Sequence, residues 1–189
     1  MQNNVGIYAS QISGHLWAPN GSMDALATVT VPSGGAASVE FAGIPQGYKH
    51  LKICAITRST TGGTGSGGTK IQFNGDTNFA NYTYHRLIGD GSSPNAYGQA
   101  GGDYPFILPL DGNTAGAYAA GIIDILDYSS ITKNKTMKVL DGADYNGSGV
   151  VGFKSQLWMN SSSAILSIVL TPSTGNFKQY SQFALYGVK

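Results

Sequence analysis

Gly or Pro interrupts most windows of a dozen residues in this chain, and that punctuation constrains its fold more than any other feature. No long run carries apolar residues at i, i+3, i+4 and i+7. Glu is present once, at Glu40, so the Glu/Lys pairs that support exposed helices are missing. Short runs of strand character recur instead. Residues 25–31 (ALATVTV) and 37–41 flank the turn Pro32-Ser33-Gly34-Gly35 and read as a hairpin. Residues 51–58 (LKICAITR) alternate, with Leu51, Ile53, Ala55 and Thr57 on one face. A Gly/Thr/Ser tract, 60–69, loops out before the run 70–73. Seven more runs, at 82–88, 104–108, 119–126, 136–140, 150–159, 164–170 and 182–188, bring the total to about ten, spaced as in a β-sandwich or barrel. Ile122, Ile123, Ile125 and Leu126, and likewise Ile165, Leu166, Ile168, Val169 and Leu170, are apolar at successive positions. They predict central strands buried on both faces. The class is all-β. No repeat of roughly 20–50 residues is visible, which disfavours a solenoid or propeller.

At 189 residues with 41% apolar side chains, the chain is long enough for one domain with a sizeable core. Residues 1–22 differ from the rest: rich in Asn, Ser and Gly, with isolated Ile7, Tyr8, Leu16 and Trp17, they read as an extended arm ahead of a single domain at 23–189. Only 11% of residues are charged and the net charge is +1, which argues against a nucleic-acid surface built on clustered Lys and Arg. Such a surface repels copies of itself weakly and suits life in contact with them. The single cysteine, Cys54, excludes an internal disulfide or thiolate zinc cluster and reads as a small buried hydrophobe. No apolar stretch approaches the roughly 20 residues of a membrane span. The start, MQNNVGIYASQISG, lacks the basic and apolar regions of a secretory signal, so the expectation is synthesis in a cytosol and no membrane partner.

Motifs for catalysis are missing. There is no GxSxG, HExxH or P-loop, His15, His50 and His85 have no short ligand spacing, and no cofactor is implied. Asp124 and Asp127 stand three apart, so on a strand they point to opposite faces and do not pair as glycosidase carboxylates. Asp141 and Asp144 fall in DGADYNGSG, a stretch that reads as a turn. There Asp144, Asn146 and Ser148 alternate as in a calcium loop, but Ser155 stands where an EF-hand has its bidentate Glu; a polar turn is the reading, with a weak Ca2+ site as the alternative. Tyr82, Tyr84, Tyr97, Tyr104 and Tyr145 fall at loops or strand ends and form the candidate binding surface, because Tyr stacks on sugars and dominates protein interfaces.

Four phrases in order, ALATVTVPSGGAASVEFAGIPQGYKHLKI, FNGDTNFANYTYHRLIGDGSS, IIDILDYSSITKNKTMKVLDGAD and LWMNSSSAILSIVLTP with FKQYSQFALYGVK, resemble a family of tailed-bacteriophage virion structural proteins of tail-fibre type. The resemblance covers the chain from about residue 25 to its end and implies a jelly-roll-like antiparallel sandwich working as a homotrimer in the virion. It implies partners among other virion proteins (capsid, portal, adaptor or tail) and no enzymatic activity. The virion position would be a tail, collar or head fibre or a capsid decoration. Asn74-Gly75-Asp76 reads as a tight turn with Gly75 at positive φ, His50 as the entry to a central strand, and Asp124 as pointing off the core face. Ile7, Tyr8, Leu16 and Trp17 would then dock the arm on the particle. A lectin-like tip that binds host glycan through loops 59–69, 89–102 and 141–149 is the alternative, and an envelope hydrolase a more distant one.

Overall fold

A computed structural model of the chain describes residues 21–102 and 104–189, and the one helical segment among them is a single 3-10 turn at Phe79–Asn81. Strands are numbered in chain order. The larger sheet has eight, in the spatial order β1 (Met23–Thr30), β12 (Gln182–Val188), β3 (His50–Thr57), β8 (Ala119–Ile125), β9 (Lys135–Asp144), β10 (Gly149–Trp158), β5 (Tyr82–Gly89) and β6 (Pro94–Ala100). The smaller has four: β2 (Val39–Phe41), β11 (Ile168–Pro172), β4 (Ser66–Phe73) and β7 (Ile107–Pro109). Neighbours pair antiparallel throughout, and the two sheets pack as a sandwich. The all-β sandwich read from the sequence is therefore the fold, with twelve strands split unequally between its layers. The arm residues Ile7, Tyr8, Leu16 and Trp17 lie outside the described residues.

The core sits where the four-stranded sheet covers the larger one. Leu51, Ile53, Ala55 and Thr57 are buried on one face of β3 as their alternation predicts. They meet Ile123 and Ile125 of β8, Met137 and Val139 of β9, Phe183 and Leu185 of β12, and Phe41, Ile71, Phe73, Ile168 and Leu170 from the opposite sheet.

Several local expectations are corrected. The first two strands are not a hairpin: β1 pairs with β12 in one sheet and β2 with β11 in the other, so the Pro32–Gly35 turn carries the chain between layers. Strand β4 begins inside the Gly/Thr/Ser tract, at Ser66, and β6 occupies most of what reads as a loop at 89–102. The apolar runs lie only in part on interior strands, β8 ending at Ile125 and β11 beginning at Ile168, and they are not buried on both sides: Ile122 on β8 is 40% exposed and Leu166, ahead of β11, 55%. Cys54 is half-buried on the outer face of β3 rather than in the core.

The FNGDT turn joins the layers. Asn74 and Gly75 both have positive φ, and Asp76 N donates to Phe73 O at 2.9 Å, the hydrogen-bonded turn that an Asn-Gly pair favours. Asp76 then serves three donors: its carboxylate accepts from Trp158 Nε1 at 2.8 Å, Asn81 Nδ2 at 2.9 Å and Asn78 N at 3.0 Å. Partial burial pushes its pKa up, but these hydrogen bonds outweigh that and hold the carboxyl below its usual range. Trp158, 1% exposed, packs with Phe73 and Tyr82 at centroid separations of 5.3 and 6.5 Å. Asp76→Ala strands the indole N–H in this cluster and should lower stability by about 2 kcal/mol. Urea unfolding checks it, and an unchanged midpoint would show that the turn holds without its carboxylate.

Candidate functional site

The core stops at β9. On the next two strands the inward-facing residues are Val150, Gly152, Lys154 and Gln156 of β10 and Tyr84, Arg86 and Ile88 of β5, with only Trp158 and Tyr82 at one end joining the apolar cluster. Outside them β6 is exposed at every position. The polar patch is covered by the segment leading into β7, where Tyr104 and Phe106 turn inward, and a cavity of about 530 Å³ is left between them. Tyr84, Arg86, Gln99, Tyr104 and Lys154 line it from the sheet and its cover, with Ser66 and Ser173 at the other wall. Gly68 is required here: a Cβ on it would stand 2.3 Å from the Tyr104 ring.

Lys154 and Asp141 form the floor. Both are nearly fully buried, and Lys154 Nζ donates to Asp141 Oδ2 at 2.6 Å, which also accepts from Ile107 N at 2.6 Å. Burial pushes the Asp141 carboxyl up and the Lys154 ammonium down, and each charge opposes the other's shift. Asp141 Oδ1 has no partner, and a Cβ on Gly152 would lie 2.7 Å from it. The reading of Asp141 as a turn residue is thus corrected: it is a strand residue on the inner face of β9, holding the start of β7 against the sheet.

Arg86 stands between three aromatic rings. Its guanidinium lies 4.8 Å from the Tyr97 centroid and 5.5 Å from those of Tyr84 and Tyr104, and the last two rings meet edge to face at 5.7 Å. Its Nε is buried without an acceptor, as are both amide atoms of Gln156. Three of the five candidate tyrosines, Tyr84, Tyr97 and Tyr104, therefore converge on one cation, but Tyr84 is only 4% exposed, which corrects its assignment to an accessible surface. Tyr82 and Tyr145 do not join them. Tyr82 is buried in the core with its hydroxyl accepting from Phe73 N at 3.0 Å, which corrects its assignment to an accessible surface. Tyr145 is 9% exposed, its hydroxyl bonded to Ser66 Oγ.

The remaining candidates are occupied locally. Asp124 points off the core face to Lys52, 2.6 Å away, while Asp127 lies beyond the strand end and pairs with Lys133 at 2.7 Å. Asp144 Oδ1 accepts from Asn146 N at 2.7 Å in the β9–β10 turn, and among the described residues no group of three or more His, Cys, Asp or Glu is placed to hold a metal ion. A larger hollow of about 650 Å³ near that turn is lined mainly by glycines and backbone, among them Gly89, Gly91, Gly142 and Gly147. It offers few side-chain donors.

The opposite face of the large sheet carries a second feature. Cys54, Ile122, Leu140, Phe153 and Leu87 are successive cross-strand partners, and Ile56, Ala120, Gly142 and Val151 form the adjoining row. Ile122, Leu140, Phe153 and Leu87 are 40%, 56%, 50% and 60% exposed. This is a continuous apolar band across five strands, bordered by a row of Lys52, Asp124, Lys138, Ser155 and His85. The outer face of the small sheet lacks such a band, with Glu40, Gln72 and Lys70 along it. No family model matches the chain, and no curated protein is significantly similar to it.

Breaking one half of the buried ion pair leaves an uncompensated charge. Lys154→Met and Asp141→Asn should each cost about 3–5 kcal/mol, and the double variant should recover about 2 kcal/mol of the summed loss. Strict additivity in urea unfolding would refute the coupling. A second outcome concerns the β5–β6 turn beside the larger hollow. Asp90 accepts from Ser93 N and from Ser92 N and Oγ, each at 2.8 Å, and these bonds bring its pKa down to about 2. A carboxyl depressed in the folded chain stabilises the turn above its unfolded value of 3.8 and loses that contribution as pH falls through about 2. Carboxyl NMR titration should give that midpoint, and Ser92→Ala should raise it.

Proposed function

We propose that this chain is a non-enzymatic structural protein of a tailed-bacteriophage particle, serving as a tail, collar or head fibre or as a capsid decoration. In this reading it forms a homotrimer whose copies cover one another's apolar band. The observation that carries the reading is the band itself. Contiguous exposed apolar rows on a sheet face are characteristic of interaction surfaces, since a lone soluble domain gains nothing from leaving them in water. A second copy is the occupant that fits: Lys52, Asp124 and Lys138 alternate in sign along its border, so one face presents opposite charges to another. The low charge content and net charge of +1 weaken repulsion between copies.

Attachment to the particle is assigned to residues 1–22, with Ile7, Tyr8, Leu16 and Trp17 as apolar inserts into a neighbouring virion protein. That assignment rests on composition and on the resemblance to virion structural proteins. Self-association and attachment are thus separate tasks on separate parts of the chain.

Light scattering tests the division. The full chain should have the mass of a trimer, the chain lacking residues 1–22 should keep it, and Leu140→Lys with Phe153→Lys should yield a folded monomer by circular dichroism. A monomeric full chain, or an unchanged mass after the double substitution, would overturn the reading.

A further inference from the structure

We infer that the cavity around Arg86 is a binding site for a saccharide that carries a carboxylate. Arg86 lines a preformed hollow and makes no ion pair with a described residue, so its charge is not neutralised there; its Nε is buried and has no acceptor. A guanidinium presents parallel N–H groups that match a planar carboxylate in two hydrogen bonds. The Lys154 ammonium beneath adds positive charge, although Asp141 already engages it.

The rest of the lining selects a sugar over a bare anion. Tyr104 supplies aromatic surface for the apolar face of a sugar ring, while the buried Tyr84 donates from Oη to Gln99 Oε1 at 3.3 Å and holds that amide at the opening. Gln99, Ser66 and Ser173 offer both donors and acceptors to hydroxyl groups. A volume of about 530 Å³ lies within the range of small-molecule sites. The cavity belongs to a single chain and opens between the layers, on the side of the sheet away from the apolar band. The inference therefore stands whether or not copies of the chain associate.

Isothermal titration of the full chain with trigalacturonic acid, 6′-sialyllactose, lactose and inorganic phosphate decides it. At least one acidic saccharide should bind saturably and lactose should not. Arg86→Gln should weaken binding tenfold or more with the circular dichroism spectrum retained. Gln99→Glu, on the exposed edge strand, should do the same by placing a negative charge at the opening, and it serves if the Arg86 variant fails to fold. Absence of saturation with both acidic saccharides would overturn the inference. So would unchanged affinity in either folded variant, or phosphate binding as tightly as the saccharide.

Discussion

Eight strands face four, and most of what distinguishes this molecule follows from that inequality. A sheet face is stable in water only if its apolar side chains are covered or its residues are polar. The small sheet covers the large one as far as β9, and there the inner face is aliphatic and aromatic. Beyond β9 the cover thins to the segment before β7, and the inner residues become Lys154, Gln156 and Arg86. Burying these groups is unfavourable unless each meets a partner. Lys154 meets Asp141. Among the described residues Arg86 is flanked by three rings, and the Gln156 amide has no hydrogen-bond partner. The site arises where the sandwich runs out of second layer.

The Lys154–Asp141 pair is then a register device as much as a contact. A slip of β10 by one residue against β9 would turn Lys154 outward and bring Phe153 in, leaving the Asp141 charge buried without its partner. The pair, its bond to Ile107 N, and Gly152 beside the carboxylate are compatible with the observed register alone. Stability given up by burying two charges is offset by specifying which face looks inward.

Much of the architecture was legible because it depends on short-range rules. Turn punctuation separates the strands, the alternation in β3 names its buried face, and Asn74-Gly75 forms the turn its residue types prefer. What failed was long-range. Nothing local tells ALATVTV that its partner is β12 at the far end of the chain rather than the next run, and sheet membership decided the matter. Ile122 looked like core because hydrophobicity marks burial against something without saying whether that is the same chain. Tyr84, Tyr97 and Tyr104 were picked out by residue type, but their convergence on Arg86 requires the β5–β6 pairing and the placement of Tyr104 against Tyr84. Arg86 and Lys154 went unnoticed as site residues for a related reason: a lone cation in a strand ordinarily faces solvent.

One signal in the sequence does anticipate both surfaces. On β10 the outward residues are Val151, Phe153, Ser155 and Leu157, whereas the inward ones include Lys154 and Gln156; on β5 Leu87 faces out and Arg86 in. Polarity is inverted over residues 151–157 of β10, opposite to the usual half-buried pattern, and the Arg86–Leu87 step of β5 continues it. An inversion confined to one face would be a packing error, but here each side has a compensating use. The outward apolar side chains continue the rows that begin on β3 and β8, where the inward face is ordinary core. The inward polar ones gather where the second layer ends. A strand pattern that contradicts its own burial is therefore evidence about the surroundings of the sheet: a cavity lined by polar groups on the inner side, and on the outer side a surface that the isolated chain leaves uncovered.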